Sequence, residues 1–121
     1  MNGLAIILLT VGLIFMLGGF IFRQLPPKNI NYTYGYKTKL SMRNEETWKA
    51  AFNFSTKLMI FLGFDMVIIG AASYYLYPNL GEKSVVIGLG IIILSAVLLF
   101  VLTENYLKKN FDKAGNRINL K

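Results

Sequence analysis

The residues able to do chemistry in this sequence are few and of one kind. Six carboxylates, Glu45, Glu46, Asp65, Glu82, Glu104 and Asp112, stand against 13 lysines and arginines, with no cysteine and no histidine. That inventory removes thiol nucleophiles, imidazole bases, disulfides and the usual zinc, copper and haem ligand sets, so no metal and no cofactor is expected. Five of the carboxylates are scattered through polar segments with no nucleophile and base in evident reach, and the expectation is a protein that is not an enzyme. Asp65 differs. It is the only charged residue inside any long apolar run, where a carboxylate costs about 2.5 to 3.5 kcal/mol on insertion scales. Such a group is expected to face protein and not lipid. Its roles divide between a structural contact joining helices or protomers, a ligand site, and proton or ion handling.

The elements that must position Asp65 are the apolar runs themselves. Residues 4–22, 58–77 and 85–102 each meet the length of about 20 mostly apolar residues that a helix needs to cross roughly 30 Å of hydrocarbon. Ser95 in the third run falls at a depth similar to Asp65 in the second. The 55% hydrophobic content is above ordinary soluble usage. No basic stretch precedes Leu4 and no small-residue cleavage site follows Phe22, so the first run is expected to be retained and not removed as a signal peptide. Small residues recur seven apart, at Gly12 and Gly19, Gly63 and Gly70, Gly88 and Ser95. Each pair therefore shares a helix face and would let neighbouring helices approach closely. The fold class expected is an all-α integral membrane protein, one domain over residues 1–121 with three transmembrane helices.

Charge sets the orientation. Seven cations (Arg23, Lys28, Lys37, Lys39, Arg43, Lys49, Lys57) lie between the first two runs, five (Lys108, Lys109, Lys113, Arg117, Lys121) follow the third, and Lys83 alone occupies the 78–84 turn. Cationic segments stay cytoplasmic. The expected topology puts the N-terminus outside, residues 23–57 inside, the 78–84 turn outside, and the basic tail 103–121 in the cytoplasm. The net charge of +7 then reflects orientation and attraction to anionic lipid, and direct nucleic-acid binding is not expected.

The 23–57 segment has two parts. Residues 24–42, with Pro26-Pro27 and the cluster Tyr32, Tyr34 and Tyr36, read as an irregular interfacial loop. Asn44 then reads as an N-cap, with Glu45 and Glu46 suited to the positive end of a helix dipole. Trp48, Ala51, Phe52 and Ser55 recur on one helical face, while Glu45, Lys49, Asn53 and Lys57 occupy another. The pattern predicts an amphipathic helix at the membrane surface between the first and second spans, with aromatic rings in the headgroup region. Whether it runs straight into the second span or bends near Ser55-Thr56 is open at this level.

The order Asn31-Tyr32-Thr33-Tyr34-Gly35-Tyr36-Lys37-Thr38, followed by Glu45, Glu46, Trp48 and Asn53, resembles the conserved segment of the SdpI-like family, the sporulation-delaying-protein immunity family. In that family a Gly-[Tyr/Ile/Phe]-Arg-Thr element precedes an acidic stretch and a tryptophan between two transmembrane helices. The tail Thr103-Glu104-Asn105-Tyr106 resembles the end of the same domain, so the likeness spans roughly residues 3–112. Lys37 stands where the family's element carries arginine, and lysine lacks the planar two-pronged fork of a guanidinium. Extra N-terminal spans of longer family members are not seen in this sequence.

The resemblance implies a bacterial plasma-membrane protein that protects its cell against a membrane-active peptide toxin, and in some members controls a membrane-sequestered transcriptional repressor. The residues it singles out are Gly35, Tyr36, Lys37, Thr38, Glu46, Trp48 and Asn53, beside the intramembrane polar pair Asp65 and Ser95. Partners expected are the lipid bilayer, a peptide toxin, a cytoplasmic repressor, and a second copy of the chain in a homo-oligomer. Two other classes stay open from the residues alone: a small adaptor recruiting a cytoplasmic protein, and a transporter subunit centred on Asp65.

Overall fold

A computed structural model describes residues 2–25 and 38–112. Among these residues three helices follow one another, α1 (Gly3–Gln24), α2 (Glu45–Leu76) and α3 (Val85–Asn110), with a 3₁₀ turn at Glu82–Ser84 leading into α3. All three are long and apolar enough to cross a membrane. The protein is an all-α membrane protein.

Each helix begins and ends for local reasons. Asn2 caps α1 by accepting from the Ala5 amide, and Pro26 disfavours helix at the preceding residue. Asn44 caps α2 reciprocally with Thr47: the Thr47 amide donates to Asn44 Oδ1 at 2.8 Å and the Asn44 amide donates to Thr47 Oγ1 at 3.1 Å. Glu45 and Glu46 sit in the first turn, as the sequence predicts. The helix stops at Leu76, two residues before Pro78. Lys108 and Lys109 fall in the last turn of α3, where cations suit the dipole.

The helices alternate in direction, so the bundle has two ends. A turn end gathers the start of α1, the end of α2 and residues 78–84. A loop end gathers the end of α1, the start of α2 and the end of α3. At 32 residues, α2 is about 48 Å long at 1.5 Å per residue, well beyond roughly 30 Å of hydrocarbon. The amphipathic stretch is therefore not a separate element: it is the beginning of α2 and continues without a break through Ser55 and Thr56 into the apolar run. The hydroxyls of these two residues return to the Phe52 carbonyl, at 3.3 and 2.8 Å, without interrupting the helix. The α3 helix likewise runs on past residue 102 to Asn110.

Packing is tightest between α1 and α2. Gly12 and Gly63 face each other so closely that a Cβ on Gly12 would lie 2.8 Å from the Gly63 carbonyl oxygen, and one on Gly63 would lie 2.6 Å from that of Gly12. Leu4, Leu8 and Met66 form the buried cluster on the turn-end side of this seam. The α3 helix buries least, with 11% of its apolar stretch covered against 28% for each of the others; its buried positions, Gly88, Ser95, Thr103 and Leu107, are spread along its length. Leu17, Phe20, Phe61, Ile68, Ile93 and Leu94 are exposed around the bundle, the distribution that lipid as solvent permits.

Candidate functional site

The loop end concentrates the motif residues that are described. Thr38 is fixed by Ser41 and reaches across to α3. Its amide donates to Ser41 Oγ at 2.9 Å, the Ser41 amide donates to Thr38 Oγ1 at 3.1 Å, and the Thr38 hydroxyl donates to Glu104 Oε2 at 3.0 Å. Ser41 is fully buried, and its carbonyl accepts from the Thr47 hydroxyl at 2.9 Å. The motif threonine is thus tied forward to the cap of α2 and sideways to the tail motif. The tail contributes twice more: Tyr106 stacks on Phe54 of α2 with centroids 4.3 Å apart, and Thr103 is buried with its hydroxyl on the Leu99 carbonyl. Ala51, Leu107 and Phe111, with Leu40 against them, form a second small core that covers the start of α2.

Trp48, Ala51, Phe52 and Ser55 are all buried, while Glu45, Lys49, Asn53 and Lys57 are exposed, matching the two faces read from the sequence. The buried face meets protein. Trp48 is 1% exposed, so its ring lies inside the fold and not among headgroups, and its Nε1 has no hydrogen-bond partner among the described residues. Asn53 receives the Arg23 guanidinium from the end of α1, through Oδ1 at 2.7 Å and its carbonyl at 3.1 Å. Glu46 lies exposed in the first turn of α2. Gly35, Tyr36 and Lys37, together with Tyr32 and Tyr34, lie outside the described residues.

The intramembrane pair separates. Ser95 is buried and its hydroxyl donates to the Ile91 carbonyl at 2.9 Å. Asp65 is exposed on the outer surface of the three-helix bundle and is not buried between the helices of this chain. The reason is the glycine seam. Gly63, Met66 and Gly70 supply the buried face of α2, and Asp65, one residue before Met66, is rotated about 100° from it. Thr10, Ser55, Thr56, Ser73, Ser95 and Thr103 all donate to carbonyls of their own helices, which satisfies the hydroxyls without a partner on another helix.

Sequence reasoning missed the polar latch at the turn end. Asn2 is fully buried, and its Nδ2 donates to the carbonyls of Ser73 at 3.0 Å and Tyr77 at 3.1 Å. Ser84 Oγ accepts from the Leu4 amide at 2.9 Å and donates to the Gly81 carbonyl at 2.6 Å. The available signal was an asparagine directly before an apolar run, which reads as a helix cap; nothing local shows that its amide also closes α2.

A three-helix membrane bundle with a polar knot where the loop meets the tail defines the class: a small polytopic membrane protein with no evident catalytic constellation among the described residues. A family model described as the SdpI/YfhL protein family matches residues 28–103. The uncharacterized protein YfhL of Bacillus subtilis (strain 168) is similar, at 35% identity over 110 residues, covering 90% of this chain and 94% of that relative. No solved structure matches. The chain belongs to the SdpI/YfhL family.

Proposed function

We propose that this chain is an immunity protein of the bacterial plasma membrane, protecting its cell against a membrane-active peptide toxin. Family membership carries the reading, and one structural observation supports a point of contact. Asp65 is the carboxylate within the spans and is exposed on the outer face of α2, where lipid alone would leave it at a cost of about 2.5 to 3.5 kcal/mol. A cationic or hydrogen-bonding group on an embedded peptide offsets that cost, so the peptide is held along α2 and kept from assembling elsewhere. The cationic loop end is cytoplasmic and the N-terminus is outside, following the charge bias. Signalling to a repressor, where it occurs, uses this same loop end.

The test is survival of a sensitive bacterium challenged with membrane-active peptide toxins while expressing the protein. Wild type protects; Asp65→Asn at equal protein level loses protection; Ser95→Ala retains it. If wild type protects against no peptide of this class, the immunity reading fails. If Asp65→Asn protects fully, the contact at α2 fails while the reading stands.

A further inference from the structure

A cleft of about 450 Å³ opens at the loop end between the turn that precedes α2 and the C-terminal end of α3. Lys39, Leu40, Arg43, Lys108, Phe111 and Asp112 line it, three cations against one carboxylate. The arginine is held in an unusual way. Its Nε donates to the Leu40 carbonyl at 3.1 Å and its Nη1 donates to the Asp112 carbonyl. Among the described residues both partners are backbone oxygens, which orient the guanidinium but do not neutralise it. The remaining terminal nitrogen, Nη2, is buried with no hydrogen-bond partner among the described residues. A buried charged donor left unmade is costly, and its natural complement is an anion with several acceptor oxygens in the geometry of the guanidinium fork.

The walls narrow the ligand. Leu40 and Phe111 give the cleft an apolar side, continuous with the small core around Ala51 and Leu107. Lys39 and Lys108 are exposed at its rim, and Lys108 also offsets the negative end of the α3 dipole. A volume of about 450 Å³ falls in the usual range for small-ligand sites and exceeds what a bare phosphate fills. The cleft's residues at the end of α3, Lys108 and Phe111, follow the apolar run 85–102.

We propose that this cleft binds a phosphate group, with Arg43 as the fixed fork and Lys39 and Lys108 as rim cations, the phosphate being presented by an anionic phospholipid headgroup or as free phosphate. The proposal is independent of the immunity reading, since it uses neither Asp65 nor any toxin.

The experiment uses the full chain in phosphatidylcholine nanodiscs and measures capture of a fluorescent short-chain phosphatidylglycerol, with inorganic phosphate as competitor. Wild type captures the anionic lipid. The double variant Lys39→Gln/Lys108→Gln loses roughly ten-fold or more in affinity, in keeping with about 1 kcal/mol for each cation at an anionic surface. Lys83→Gln, which removes the same charge at the opposite end, changes nothing. Arg43→Lys keeps the charge but loses the fork, and weakens capture as well. Displacement by inorganic phosphate assigns the site to free phosphate, and its failure to compete assigns the site to the headgroup. Should the double lysine variant bind lipid and phosphate as wild type and Lys83→Gln do, the site is overturned, whether or not the Arg43 variant folds.

Discussion

At the residue scale the fold depends on a few hydrogen bonds that join distant parts of the chain. The Thr38 hydroxyl and the Glu104 carboxylate meet at 3.0 Å across 66 positions of sequence. Glu104→Ala should cost about 1.5 kcal/mol, the lower end for a hydrogen bond to a charged group, because the pair is only part-buried, and Thr38→Val should cost more, because it also removes the acceptor of the Ser41 amide. The double variant should cost less than the sum of the two single ones, since the Thr38–Glu104 bond is lost in both. Unfolding of the purified protein in detergent measures this, and fully additive losses would show that the pair does not act as a unit. Asn2→Ala should cost about 1 to 3 kcal/mol by the same measurement, because it strips two carbonyls at the end of α2 of a buried donor.

At the element scale the decisive features are the α1–α2 seam and the overlong α2. Gly12→Leu or Gly63→Leu should destabilise by at least about 1 to 3 kcal/mol, because the added side chain meets backbone of the facing helix and not a flexible tip. A same-size change at Gly90, around which a Cβ meets nothing within 4 Å, should leave unfolding unchanged and serves as the control. The loop end of α2 depends on its cap, so Asn44→Ala should cost about 1 kcal/mol. Hydrogen exchange should locate that loss in the first turns of α2, with the α1–α2 seam unaffected.

At the scale of the whole molecule, the two ends differ in charge, and the proposed orientation follows from that difference. The chain has no cysteine, so Lys39→Cys and Leu80→Cys provide clean reporters. An impermeant maleimide should label position 80 in intact cells and position 39 only after permeabilisation. The reverse pattern would place the phosphate cleft outside the cell and remove the cytoplasmic assignment of the loop end.

The three apolar runs, the cap at Asn44, the two faces of its helix and the small residues of the seam were all legible in the sequence. Each is a local or periodic property: chain length against bilayer thickness, a side chain bonding three residues ahead, a repeat near two turns. The family was legible too, in the ordered loop motif. Tertiary structure alone decided which side of α2 Asp65 takes, because that depends on which face the facing glycines of α1 select. It also decided that Trp48 lies inside the fold and that Asn2, Thr38 and Arg43 find partners 66 or more residues away. No local pattern encodes such meetings, since they arise only when three helices of unequal length are aligned by close packing and the surplus at one end folds onto itself.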